Sequence, residues 1–243
     1  MSTSLPRWRS VLVVVAHPDD ESFGLGAVLS TFVDQGATVS VLCFTRGEAS
    51  SLHGVAGDLA QVRKRELGAA AHVLGIGHVE LRNHPDGGLS GVDLRTLVDE
   101  VSMSLIAVDA DGIVVFDADG VTGHPDHRRA TQAALEAAGA HRLPVLGWTV
   151  PTDLAAALNA EFGASFSGHD SAAIDVVVPV DRSRQSRAVA CHPSQAVPGS
   201  VLWRRLELTG EREYLRHLTG ARSHLPSVPP STRTANTDEG QGT

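Results

Sequence analysis

Two short segments of this chain repeat one grammar: Ala16-His17-Pro18-Asp19-Asp20-Glu21 and Gly123-His124-Pro125-Asp126-His127. Each follows an apolar run rich in β-branched residues, Val11 to Val15 and Ile113 to Phe116, and leads into a Gly/Ala-rich amphipathic stretch. The context predicts strand, loop and helix start, twice. Proline at the first helical position puts Asp20 and His127 in a first turn, beside the histidine three residues earlier. Brought together, two such turns would present His, Asp and His to one metal ion. Three nitrogen and oxygen ligands that leave a position for water describe a catalytic rather than a structural zinc site, with His17, Asp20 and His127 as the candidates.

The remaining polar residues match what hydrolysis needs. Asp19 can take a proton from metal-activated water, and His124 can stabilise the developing oxyanion or protonate a leaving amine. Asp126 can orient a histidine or tune its basicity. A blander alternative has these residues merely capping helix N-termini. Against it, an acidic triplet at one helix start exceeds what capping requires, and carboxylates that close repel unless a cation shares them.

The elements that must position these groups alternate along the chain. Strands are predicted at 11–16, 38–44, 78–82, 112–116 and 144–149, with helices at about 24–35, 58–75, 93–107 and 125–139 between them. A sixth strand at 174–178 precedes a helix at about 181–191, and 151–172 reads as a loop. This pattern predicts one α/β, Rossmann-like domain over residues 1–222, with a mainly parallel sheet covered by helices on both faces. Open parallel sheets bind ligands beyond the C-terminal strand ends, where both His-Pro motifs fall. Apolar periodicity fades after Leu218, and 223–243 is expected to be a disordered tail.

Composition narrows the function further. The 243 residues carry a net charge of −8, with Lys64 the sole lysine, which argues against nucleic acid or an anionic membrane as partner. The early apolar run, Val11 to Ala16, is too short for a membrane span or a signal-peptide core, so no membrane insertion and a cytoplasmic location are expected. Cys43 and Cys191 are too few for a disulfide framework. Arg182, Arg184 and Arg187 have the spacing of a solvated helix face. Gly24-Leu25-Gly26-Ala27 fails the dinucleotide-loop pattern at Leu29 and reads as close packing of the first helix on the sheet. Asp117-Ala118-Asp119-Gly120 reads as a turn, because the ligands of a calcium loop do not follow it. His53, His72, His78, His84, His141, His169 and His217 occur singly and read as surface or satisfied residues.

At these residues the sequence resembles a known family, the LmbE-like or PIG-L metal-dependent de-N-acetylases, from about residue 11 to 217. The resemblance rests on Ala-His-Pro-Asp-Asp-Glu at 16–21, Thr-Arg-Gly-Glu at 45–48, Pro-Asp-Gly at 85–87, Gly-His-Pro-Asp-His at 123–127 and His-Pro-Ser-Gln at 192–195. It implies His17, Asp20 and His127 as metal ligands, Asp19 as general base and His124 as electrostatic stabiliser or acid. It also implies that Arg46 and Asp86 bind substrate hydroxyls or a phosphate-bearing aglycone, and it makes His192 a candidate for the pocket wall. Thr122 departs from the mycothiol-type relatives, which have tyrosine there, and Ser50 stands where relatives often have glycine. The expectation is a zinc-dependent hydrolase, Fe2+ being the other candidate metal, acting on a small N-acetylated sugar or amide, with a homo-oligomer among the candidate assemblies. Its rivals are a non-haem Fe(II) oxygenase, which also uses two histidines and a carboxylate, and a non-catalytic carbohydrate- or metal-binding module.

Overall fold

Along β1 (Ser10–Val15), Val11, Val13 and Val15 pack into one apolar cluster while Leu12 and Val14 pack into another on the opposite face. A strand covered on both sides needs no polar alternation, which is why the run is continuous. The first cluster is completed by α2 (Gly26–Asp34), α3 (Leu59–Leu74) and α6 (Thr152–Phe162), and the second by α4 (Leu94–Ala107) and α5 (Pro125–His141). The computed structural model describes residues 2–52 and 57–218. The expected tail at 223–243, the domain end at 222 and His53 lie outside those residues.

The sheet has seven strands in the order β3-β2-β1-β4-β5-β7-β6, adding β2 (Thr38–Thr45), β3 (His78–His84), β4 (Gly112–Phe116), β5 (Val145–Thr149), β6 (Val176–Pro179) and β7 (Arg212–Leu218). From β3 to β5 all pairings are parallel; β7 runs antiparallel to both β5 and β6. After β1 the chain builds outward through β2 and β3, then returns to add β4 and β5 on the other side. The order therefore reverses between β1 and β4, and a crevice opens beyond their C-terminal ends.

The structure corrects the expected layout in four places. The segment 151–172 contains α6, which the sequence hides because it has no side-chain cap and buries only Leu154, Ala155 and Leu158. α8 (Val201–Thr209) and β7 were not anticipated. In β7 the alternation is masked by Glu213, which is fully buried and paired with Arg182 and Arg205. Arg182 is accordingly not on a solvated face; it lies at the start of α7 (Ser183–Val189) and also donates to Thr209 Oγ1 and the Arg212 carbonyl. The first helix is broken into α1 (Asp20–Phe23) and α2 at Gly24-Leu25. A Cβ at Gly24 would stand 2.6 Å from the Phe116 ring, so the expected close packing on the sheet is real at this position. Among the described residues no helix is long and apolar enough to cross a membrane. Gly24→Ala should cost about 1–3 kcal/mol through overpacking against Phe116, to be read as a lower urea midpoint at unchanged slope.

Candidate active site

His17 follows directly from the end of β1, and Asp20 opens α1 three residues later. Asp20 Oδ2 accepts from the backbone N–H groups of His17 (2.9 Å) and Ala16 (3.2 Å), which ties the carboxylate to the strand end. Its Oδ1 stands 3.1 Å from Nε2 of His127, in the first turn of α5 after β4. His17 Nδ1 lies 3.2 Å from the same His127 Nε2 and 3.7 Å from Asp20 Oδ2. Ligand atoms about 2.0–2.1 Å from a tetrahedral metal are about 3.3 Å apart, so this donor set matches the edges of such a site.

The far side of each ring decides which nitrogen carries the proton. His127 Nδ1 faces Thr122 Oγ1 at 2.9 Å and the Gly120 carbonyl at 3.3 Å. Donation to that carbonyl leaves Nε2 with a lone pair. His17 Nε2 faces Asp86 Oδ1 at 3.1 Å and Asp126 Oδ2 at 3.4 Å, so the neutral ring carries its proton on Nε2 and has Nδ1 to offer a cation. Asp126 is itself held by the N–H groups of Gly87 (2.8 Å) and Leu89 (3.1 Å). Two lone pairs facing each other beside a carboxylate suit a divalent cation, and the residues fit one.

The local field points the same way. Burial alone would lower the His17 pKa, but Asp126, Asp86 and Asp20 outweigh it and push it up to about 10, a measure of how strongly this spot favours positive charge. Asp20 is buried, which favours its neutral form, yet His127, His17 and the backbone N–H of His17 hold it below the usual carboxylate range. His124 caps α5, its Nδ1 accepting from the Asp126 N–H at 3.2 Å. Burial and the neighbouring His17 and His127 lower its pKa, so it stands as a neutral ring with Nε2–H to donate.

Asp19 precedes Asp20 in an unusual conformation, φ 133°. For a non-glycine residue this costs on the order of 1–3 kcal/mol, so surrounding contacts must impose it. Glu21 Oε2 accepts the Asp19 N–H at 2.9 Å, and the Asp19 carbonyl accepts from the N–H groups of Ser22 and Phe23. The Asp19 carboxylate pairs with Arg63 Nη2 at 3.0 Å. Burial raises its pKa, Arg63 opposes this and Asp20 adds to it, leaving Asp19 at about 6. Arg63 was not anticipated. It is 3 % exposed and also donates to the carbonyls of Gly47 and Pro18. A Cβ at Gly47 would fall 2.1 Å from that guanidinium, which accounts for the glycine in Thr-Arg-Gly-Glu. The signal was present in the sequence: Arg63 and Glu66 share the helical stripe of Leu67, Ala70, Ala71 and Leu74, so both charges lie on the buried face.

These groups border a cavity of about 560 Å³ whose wall includes His17, Asp19, Asp86, His124 and Arg63. Asp86 therefore reaches the site, with one oxygen toward His17 and the other accepting from the Ala49 N–H at 2.9 Å. Arg46 is half-buried and is not among the cavity's lining residues. His192 is a correction to the expected pocket wall: it is fully buried behind α1, 2.8 Å from Glu21 Oε1, because the buried Glu21 needs a partner there. From the same His-Pro-Ser-Gln segment it is Gln195 that lines the cavity, accepting from Ser50 Oγ at 2.8 Å, while Ser194 binds Glu66.

An open α/β sheet with a His/Asp/His cluster at its switch point is one arrangement found in hydrolytic enzymes, and the comparisons identify the family to which the chain belongs. The sequence profile described as PIG-L, GlcNAc-PI de-N-acetylase, matches residues 12–138, and the chain belongs to that family. The 1D-myo-inositol 2-acetamido-2-deoxy-alpha-D-glucopyranoside deacetylase of Rhodococcus opacus is 35% identical over 175 residues, 60% of this chain and 59% of that protein. The match thus spans less than two thirds of that relative's length. Among solved structures, the N,N'-diacetylchitobiose deacetylase of Pyrococcus horikoshii superposes with TM-score 0.66 at 20% identity, covering 91% of this chain and 88% of its own. The 4-carboxy-2-hydroxymuconate hydratase of Pseudomonas putida does so with TM-score 0.61 at 19% identity, covering 94% and 100%. One fold carries both chemistries, so the fold alone does not name the reaction.

Protein loaded with a divalent cation and dialysed should retain a single tightly held ion by elemental analysis. His127→Ala should lose it, and Asp126→Asn, which loosens His17, should weaken affinity by roughly 10–100-fold.

Proposed function

We propose that this protein is a metal-dependent hydrolase that removes an acetyl or other small acyl group from the amine of an amino sugar or a related small conjugate. In this reading His17, Asp20 and His127 hold a zinc ion, with Fe2+ the alternative. The observation that carries it is the convergence of His17 Nδ1, His127 Nε2 and the Asp20 carboxylate, with Nδ1 and Nε2 3.2 Å apart, Oδ1 3.1 Å from Nε2 and Oδ2 3.7 Å from Nδ1, and with Asp19 and His124 on the wall of the same cavity. A cation held by these residues would supply polarisation of the amide carbonyl and a lowered pKa for a neighbouring water.

The chain's own groups supply the rest. Asp19, at about 6, is ionised near neutrality yet basic enough to take the proton of the attacking water and return it to the departing amine. Arg63 aims that carboxylate and limits how far burial raises its pKa. His124 donates from Nε2 to the oxyanion that forms on the carbonyl, while its Nδ1 is engaged by the Asp126 N–H. Asp126 and Asp86 keep His17 in the tautomer that offers Nδ1. Asp86, Gln195 and the backbone about Gly87 are the polar groups available to sugar hydroxyls. Support for an N-acetylated amino sugar as substrate comes from the relatives' activities.

Amine and acetate release from a panel of N-acetylglucosaminides tests this reading against the hydratase that shares the fold. Asp19→Asn should retain the metal and lose roughly 10²–10⁴-fold in kcat; near-normal turnover would remove Asp19 as the base. The rate should also fall on the acid side with an apparent pKa of about 6, as Asp19 becomes protonated. Arg63→Met removes a positive charge beside it and should move that limb to higher pH by about one unit, seen in a kcat/KM profile.

A further inference from the structure

A second cavity, about 320 Å³, opens from the same side chains. It shares Asp19, Asp20, His127, Leu52 and Gln195 with the polar cavity, then continues between Phe23, Phe116, Trp148, Phe166, Val197 and Val201. The two cavities therefore diverge from one junction, where Asp20 and His127 of the donor set lie, with His17 on the polar side of it. One arm is lined by carboxylates, His17, His124 and a guanidinium; the other is mainly aromatic and aliphatic, with Thr122, Ser200 and Arg205 also on its wall.

An amide bound with its carbonyl at the junction has two substituents to place. The hydroxyl-rich sugar on nitrogen needs hydrogen-bond partners, which Asp86, Gln195 and the backbone about Gly87 offer in the polar arm. In the apolar arm its hydroxyls would be stripped of water without replacement. The acyl substituent has the opposite requirement. An acetyl methyl would leave most of this space unfilled, since an apolar cavity of roughly 150 Å³ already accommodates a benzene ring. We infer that the apolar arm receives the substrate's acyl chain, and that the preferred substrate carries an acyl group of about four to eight carbons rather than acetyl. This rests on the hydrolase reading above. The reaction is ordinary amide hydrolysis: water oxygen bonds to the carbonyl carbon, the C–N bond breaks with its electron pair leaving on nitrogen, and the amine takes up a proton. The products are a free amino sugar and a medium-chain carboxylate.

The test is amine release by the metal-loaded full chain from glucosamines N-acylated with two, four, six and eight carbons. The expected result is a kcat/KM that rises roughly fourfold for each added methylene until the arm is full. Val201 is only partly buried at the start of α8, so Val201→Trp can fold while obstructing the arm. It should reduce the ratio of hexanoyl to acetyl turnover at least tenfold. Preference for acetyl over hexanoyl, or a ratio that Val201→Trp leaves unchanged, would overturn the inference. So would faster turnover of octyl N-acetylglucosaminide than of N-hexanoylglucosamine, which would assign the arm to an apolar aglycone. Release from none of these substrates would overturn the hydrolase reading itself, a result distinct from release with acetyl preferred.

Discussion

The parallel pairing of β1 with β4 is the constraint on which the rest of this structure depends. Val11 lies opposite Gly112 and Val13 opposite Val114, so the two strands end side by side. One exits into His17 and the other into the loop that reaches His127. With the strands fixed in that register, His17 Nδ1 and His127 Nε2 are held 3.2 Å apart although 110 residues separate them. Nothing in the local sequence of either motif could bring this about. The pairing is held in turn by apolar layers on both faces, with Val11, Val13 and Val15 against one set of helices and Leu12 and Val14 against the other.

Charge explains why so many carboxylates gather here. Asp19, Asp20, Glu21, Asp86 and Asp126 surround one short stretch of backbone, and like charges at such distances repel. Each is compensated by a particular device. Asp20 and Asp126 take backbone N–H groups, Glu21 takes His192, Asp19 takes Arg63, and Asp86 shares His17. What is left over is a field that raises His17 to about 10, and a cation between His17, His127 and Asp20 is its natural complement. The strained backbone of Asp19 belongs to the same economy of contacts: Glu21 receives its N–H and thereby fixes where its carboxylate sits.

Thr122 and Arg63 show how neighbours outside the His/Asp/His cluster shape its surroundings. The hydroxyl of Thr122 stands 2.9 Å from His127 Nδ1, so this position supports the His127 ring. Arg63 reaches Asp19 only because Gly47 has no side chain to obstruct its guanidinium. The apolar arm depends on similar accommodation, Gly24 allowing the Phe116 ring to lie close to α1. In the proposed reading, ligand geometry sets the reaction and these neighbouring positions set pKa and substrate.

The sequence by itself determined the alternating α/β order and the two His-Pro turns, because continuous apolar runs and turn residues are local signals, although only Pro125 opens its helix and Pro18 lies before Asp19, the N-cap of α1. It also carried the helical stripe that buries Arg63, although a charge on an apolar face is easily read as solvated. Tertiary structure alone decided the rest. His192 became a partner of Glu21 and Gln195 a wall of the cavity because burial, not motif membership, chooses which side chain faces space. β7 inserted antiparallel between β5 and β6 with Glu213 buried, since two arginines from separate helices neutralise a charge that no local pattern could have placed inside. Periodicity is a property of neighbours along the chain; a cavity and an ion pair are properties of neighbours in space.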